Sequence, residues 1–356
     1  MKRILLIISG CLLMSCQKND TTQREEEKNV PQEIVKDGIT YKLANFPLYR
    51  DPVYNGPSDP MVCYSNRVGK WYMYYTSRRL TVTNILPTEQ IHGTEIGIAE
   101  SSDGGATWEY IGDCNIDYKP DQNPTYWAPE IFEYENVFHM FLSYVPGIFN
   151  DWNHPRSMVH LTSEDGINWT TDGVIDLNST KVIDACVFRL PNGIWRMWYK
   201  NEEARKDIIW YADSEDLYNW SVKGAVPLGG VEGEGANVIY WRNKYFMIVD
   251  EWKGLSVYHS DDATNWVKQA DYLLAGIPLE NSKSSNIQYV DGSFGNHADI
   301  EVVGDHAYMF YFSQTPANVA KRGLAIYVVE LVYCEDGTIT CDARERCYIN
   351  MWPLNN

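Results

Sequence analysis

Asp59, Asp184 and Glu234 stand 125 and 50 residues apart in a 356-residue chain. Carboxylic acids brought to one cavity could cleave a glycosidic bond. One protonates the departing oxygen, another activates water or attacks carbon, and nearby anions stabilise the oxocarbenium charge of the transition state. Crowding also pushes their pKa values apart, so that one can hold a proton near neutrality while another is ionised. The elements that carry them must deliver them to one place.

Those elements are a repeat. Five segments share an apolar, aromatic strand centred on methionine: GKWYMYYTS (69–77), NVFHMFLSY (136–144), GIWRMWYK (193–200), NKYFMIVDE (243–251) and DHAYMFYFS (305–313). Spacings of 50 to 67 residues between Met73, Met140, Met197, Met247 and Met309 suit a four-stranded propeller blade. Each strand follows another β-rich run across a Gly/Asn/Asp turn, as in a hairpin. Four blades continue into a turn that ends in tryptophan (ESSDGGATW, TSEDGINW, DSEDLYNW, HSDDATNW). These turns resemble the aspartate boxes of sialidases and other propellers, where they are structural. Helical periodicity is absent. The pattern predicts an all-β fold, a five-bladed β-propeller of four-stranded antiparallel blades around a central cavity, over residues 37–356. Counting 14 or 13 residues back from each methionine gives Asp59, Tyr126 or Trp127, Asp184, Glu234 and Asn296, with His297 one step on. These positions open the strands that line the channel.

Taken in order, Ser58-Asp59-Pro60, Trp127-Ala128-Pro129-Glu130, Ile183-Asp184-Ala185-Cys186-Val187-Phe188 and Glu232-Gly233-Glu234-Gly235 resemble glycoside hydrolase family 43 over roughly residues 45–330. That resemblance implies a five-bladed propeller acting on plant- or algal-type oligo- or polysaccharides by inverting acid/base hydrolysis, in the manner of arabinofuranosidases and xylosidases. It implies that Asp59 is the general base, Asp184 the residue that orients the acid and tunes its pKa, and Glu234 the acid. The family's acid is usually followed by Gly-Pro, whereas this chain has Gly235-Ala236, and Glu232 has the strand parity to replace Glu234. Family relatives often hold a structural Ca2+ in the central channel beside a blade-five histidine, largely through water, which makes His297 the metal-side residue here; no other cofactor is required. The related family 117, anhydrogalactosidases with a proposed histidine acid, resembles this chain in its two aspartates and late histidine, so His297 as acid stays open. A glycan-binding propeller that has lost catalysis is the alternative from another class.

Sugars offer apolar ring faces and hydroxyl edges, so Tyr126, Trp127, Trp152 and Trp252 are candidate substrate platforms, with Phe149 beside them. Arg189 and Arg242 read as outer-strand surface groups. Sialidase chemistry needs an arginine cluster on six blades, family 32 a different motif where this chain has Gly56-Pro57-Ser58-Asp59-Pro60-Met61, and family-130 phosphorolysis a basic phosphate site that does not stand out. A net charge of −18 excludes nucleic acid as a natural partner.

The N-terminus reads as a processing signal. Lys2-Arg3 precede an apolar stretch from Ile4 to Leu13, and Leu13-Met14-Ser15-Cys16 resembles a bacterial lipoprotein cleavage site. Cys16 would then carry lipid, residues 16–36 form a polar tether, and the cell envelope is the expected location, with membrane contact through the lipid only. Cys63 and Cys186 read as buried thiols, and an oxidising compartment would let Cys334, Cys341 and Cys347 pair among themselves.

Overall fold

The computed structural model describes residues 31–204, 208–275, 295–314, 323–343 and 345–353. The signal segment, Cys16 and the start of the tether lie outside them. Apart from a 3-10 turn at Pro87–Ile91, the regular elements among the described residues are strands.

The first blade comprises Pro57–Ser65, Lys70–Ser77, Ile96–Ser101 and Glu109–Asp113, and the second Thr125–Tyr134, Val137–Val145, Ser157–Ser163 and Asn168–Ile175, with Asn115–Ile116 added in parallel as a fifth strand at its outer edge. The third is Val182–Arg189, Trp195–Asn201, Ile209–Ser214 and Trp220–Ala225; the fourth is Glu234–Trp241, Lys244–Asp250, Leu255–Ser260 and Val267–Lys268. The fifth has Asn296–Val303, His306–Gln314 and Leu324–Glu330. Its outer edge is paired by the N-terminal segment, where Tyr49 and Ile326 exchange both backbone hydrogen bonds at 3.1 and 3.0 Å. The chain's early and late residues thus close the ring. Inner strands neighbour one another cyclically, the fifth against the first, so the molecule is a five-bladed propeller.

Each repeat methionine is fully buried and sits in a different inter-blade cluster: Met73 between blades five and one, Met140 between one and two, Met197 between two and three, Met247 between three and four, Met309 between four and five. An unbranched thioether fills such irregular gaps between twisted sheets. The tryptophan turns are structural, as expected. In the second blade Ser163 Oγ accepts the Gly166 N–H at 2.9 Å, while Asp165 accepts the Ile167 and Asn168 N–H groups at 2.8 Å each.

Two expectations change. Glu33–Lys36, placed in the tether, is a strand paired with Ile39–Leu43. The reason is the Asp37-Gly38 loop, with φ of 51° and 79°, whose two left-handed residues suit a tight hairpin turn. The six described cysteines are free thiols. Cys341 packs between blades four and five and Cys347 between five and one, so different clusters hold them apart from a pairing that their sequence separation allowed.

Candidate active site

Every inner strand breaks register once near its start. The breaks fall between Ser58 and Met61, Trp127 and Glu130, Ile183 and Cys186, Glu234 and Asn237, and Asn296 and Asp299. At each bulge one residue has a left-handed backbone: Asp59 (φ 51°), Ala128 (40°), Asp184 (58°), Gly235 (59°) and His297 (31°). Four of the five are not glycine, and such strain in L-residues concentrates at functional sites. A bulge re-aims the side chain that it carries. Here it marks one level of the channel, to which blades one, three and five contribute Asp59, Asp184 and His297.

This corrects the count from the methionines. The residue opposite each methionine is Val62, Ile131, Val187, Val238 or Ile300, and the bulge lies three positions before it. Hairpins of unequal length spoil a count taken from the methionine itself. Ala128, not Tyr126 or Trp127, is the equivalent in blade two, and Gly235 in blade four, with Glu234 one residue earlier. A Pro or Ala follows every bulge residue (Pro60, Pro129, Ala185, Ala236, Ala298), and that signal was available in the sequence.

Side chains three positions beyond the methionines lock these bulges across blade boundaries. Thr76 Oγ1 accepts the Ala128 N–H at 2.9 Å, Ser143 Oγ the Asp184 N–H at 3.1 Å, and Asp250 Oδ2 the His297 N–H at 3.0 Å. The Gly235 N–H donates instead to Asp184 Oδ2 at 3.2 Å. Asp250 also accepts the Trp252 N–H at 2.8 Å, so one buried carboxyl holds two strained residues, His297 and Trp252 (φ 57°). Sequence reasoning overlooked Asp250 and Lys200, although the methionine repeat points at both.

The electrostatics are polarised. Burial alone would raise the Asp59 carboxyl. Arg78 (Nη2 at 3.6 Å), His297 (Nδ1 at 3.5 Å) and the Thr76 and Ser58 hydroxyls outweigh it, and Asp59 is held below the ordinary value. Asp184 is pushed up to about 6, first by burial and then against the favourable charges of His297 and Lys200 by its neighbours Glu234 and Asp59. Asp250 also rises to about 6, chiefly by burial. At Glu234 burial is outweighed by Lys200 (Nζ to Oε2, 2.9 Å) and by the Trp252 Nε1–H (3.0 Å to Oε1), and its pKa is lowered. His297 is raised, because Asp184, Asp59, Glu234 and Asp250 together overcome the effect of its burial. Glu232 is exposed, ahead of the strand that begins at Glu234.

Of the aromatic candidates, Trp252 is 46% exposed with its indole on Glu234, and Trp152 is 58% exposed. Trp127 is buried beside Ala128 and Ile183, with His92 and Trp152 rings at 5.1 and 6.1 Å and the Arg156 guanidinium over its face at 5.4 Å. Tyr126 is not a wall residue. It is fully buried in the cluster between blades one and two, with its hydroxyl donating to the Tyr118 carbonyl at 2.7 Å. Arg189 lies over Tyr134 and Trp195, and Arg242 pairs with Asp305, away from this level.

Further along the inner strands the channel holds a cavity of about 360 Å3 lined in part by Glu130, Asp299, Glu301, Cys63 and Cys186. Two of its acids serve the ring: Glu130 accepts the Val187 N–H at 2.7 Å and Asp299 the Val62 N–H at 2.8 Å. Among the described residues no three His, Cys, Asp or Glu side chains are grouped to hold a metal. His297 turns its Nδ1 to Asp59.

No family model matches the sequence, and no curated protein matches it. Solved structures are similar in fold. A thermostable family-43 glycoside hydrolase superposes with a TM-score of 0.61 at 19% identity, over 86% of this chain and 100% of that one. A xylan β-1,4-xylosidase from Bacillus halodurans C-125 gives 0.60 at 14% identity, over 86% of this chain and 60% of the other. A family-43 β-xylosidase/α-arabinofuranosidase from a compost microbial metagenome, solved with xylotriose in a calcium-free form, gives 0.61 at 16% identity, over 84% and 97%. At such identities the likeness establishes the propeller, and function must be argued from the site.

Proposed function

We propose that the protein is a glycoside hydrolase that cleaves plant- or algal-type oligo- or polysaccharides with inversion, in the manner of xylosidases and arabinofuranosidases, and that it is lipid-anchored at Cys16 in the bacterial cell envelope. The observation that carries the activity is the opposed electrostatics of acids at one end of the channel. Asp59 is an anion held by Arg78 and His297, which suits a base that takes a proton from water. Asp184, raised to about 6, and Glu234 form a pair with one proton to give. Water adds to the anomeric carbon as Asp59 takes its proton, the bond to the leaving oxygen breaks, and that oxygen receives the proton of the pair. Trp252 and Trp152 offer exposed ring faces for sugar.

The test is incubation of the chain from residue 31 with aryl glycosides and plant and algal oligosaccharides, with the first anomer followed by NMR. Initial release of the inverted anomer supports the proposal, and initial retention overturns the single displacement. Calorimetric binding of a glycan without product over long incubation would leave a binding protein instead. Metabolic labelling with palmitate, lost in Cys16→Ala, tests the anchor.

A further inference from the structure

The five positions three residues beyond the repeat methionines are Thr76, Ser143, Lys200, Asp250 and Phe312. Three of them accept a backbone N–H from the next blade. Lysine has only donors, so Lys200 cannot do this, and Asp184 takes the Gly235 N–H in its place. The Lys200 side chain is buried and turns elsewhere: Nζ lies 2.9 Å from Glu234 Oε2, 3.1 Å from Glu202 Oε1 and 5.4 Å from the centre of the Trp252 ring. Glu202 in turn pairs with buried Arg156, which stacks on Trp127. An alternating chain of charges thus runs from Glu234 to the aromatic wall.

This network decides which acid can hold a proton. Both Glu234 oxygens face donors, Oε2 the Lys200 ammonium and Oε1 the Trp252 indole N–H. A protonated carboxyl would have to donate its own O–H, and there it meets donors rather than acceptors. Asp184 differs, since Oδ2 accepts one backbone N–H and the carboxyl is buried between the charges of Glu234 and Asp59. Adjacent carboxyls in such a place do not both ionise. We propose that Lys200 is a positioning residue that fixes Glu234 as a carboxylate, so that Asp184 carries the proton given to the leaving group. The delivery half of this rests on the hydrolase reading. In that step the Asp184 O–H bond breaks, its proton joins the departing oxygen as that oxygen takes the C–O electron pair, and Asp184 is left a carboxylate while Asp59 holds the proton from water. The charged and titratable groups facing Glu234 are Lys200, Arg156, His297, Asp184 and Asp250, with the Trp252 N–H. The raised Asp184 and lowered Glu234 agree with this placement.

Infrared difference spectra at pH 5, without substrate, test the placement. Wild type minus Asp184→Asn should show a protonated-carboxyl band, and wild type minus Glu234→Gln only carboxylate bands. In a Lys200→Met background the Glu234→Gln difference should gain the protonated band, and Lys200→Arg should restore the wild-type pattern. A protonated Glu234 in the wild type overturns the proposal, and the wild-type comparison decides the matter even if Lys200→Met fails to fold. On substrates, Asp184→Asn should recover about 100-fold when a poor leaving group is replaced by a good aryl one, and Glu234→Gln should not. The reverse result returns the acid role to Glu234. If wild type releases no product from any glycan, the hydrolase reading falls while the spectra still judge Lys200.

Discussion

Asp165, Asp216 and Asp262 in the outer turns and Asp184 and Asp250 at the channel mouth are the same side chain with opposite fates. The outer three have pKa values of about 2, the mouth pair about 6. Each outer acid accepts two backbone N–H groups and an asparagine amide within reach of water. At Asp216 the Asn219 amide leads the lowering, and at Asp262 the Asn265 N–H leads; at Asp165 slight burial opposes the donors and loses. Asp250 also accepts two N–H groups, from Trp252 and His297, yet it is raised. The number of backbone N–H donors therefore does not separate the groups. Removal from water does, because burial penalises the charged form more than two hydrogen bonds favour it. The wet, fully donated-to acids shape turns, whereas Asp184 and Asp250, kept dry, are raised; Asp59 is as dry, but Arg78 and His297 beside it keep it low.

The sharpest way to break this contrast is to neutralise one acid in each region. Asp59→Asn should lower turnover on a good substrate about 1,000-fold, within the range that general base catalysis supplies, with an unchanged circular dichroism spectrum. Asp216→Asn should leave turnover unchanged. Equal losses in the two variants would mean that the channel acids matter only for folding.

The tryptophans divide in the same way. Trp252 is half exposed at the mouth, whereas Trp169, at the end of an outer turn, is buried between blades one and two. Trp252→Ala should raise KM about tenfold, the worth of one stacked ring, and Trp252→Phe should keep most of the binding while losing the bond to Glu234. Trp169→Phe should alter melting alone. A KM untouched by Trp252→Ala would remove it from the sugar site.

Stability against pH should show both regions with opposite slopes. The outer acids, depressed to about 2 from an ordinary 3.8, bind fewer protons folded than unfolded between those values. Their stabilisation is complete above about pH 4 and fades as pH falls through 2. Asp184, Asp250 and Asp299, raised to about 6, bind more protons folded than unfolded between 3.8 and 6. Their contribution is complete below about pH 4 and is lost as pH rises through 6. Urea unfolding across this range should rise to a maximum near pH 4 and then decline. Asp250→Asn should flatten the decline, and the triple outer-turn Asn variant the rise. A decline of the same slope in Asp250→Asn would show that this carboxyl is ionised in the fold.

The sequence made the blades legible because the methionine strands repeat a packing requirement, and packing between twisted sheets tolerates few substitutes. It made Asp59 and Asp184 legible because each lies near the start of an inner strand. It placed Glu234 at the level of Asp184 only through hairpins of unequal length, and the bulge register moves it one residue. Tyr126 was misplaced by the same slip, which turns a side chain from the channel into the inter-blade core. Lys200 and Asp250 went unread because their importance lies in partners one blade away, and no local pattern announces a hydrogen bond that crosses a blade boundary. The Asp37-Gly38 hairpin was readable but hidden within a charged segment.

The smallest effect tests the structural side of the comparison by itself. Asp165 lies in a turn open to water, so each of its hydrogen bonds replaces one that solvent would make, and the net gain is modest. Removing the side chain in Asp165→Ala frees the Ile167 and Asn168 N–H groups to water rather than burying them unpaired. A loss of about 1 kcal/mol follows, seen as a fall of roughly 3 °C in melting temperature, and turnover and KM should stay at wild-type values. Replacing Asp165 by Asn should recover part of the loss, because the amide oxygen still accepts but without charge. A change in turnover from Asp165→Ala would mean that strain in an outer turn reaches the channel mouth, and the two groups of aspartates would then no longer be separable by their contact with water.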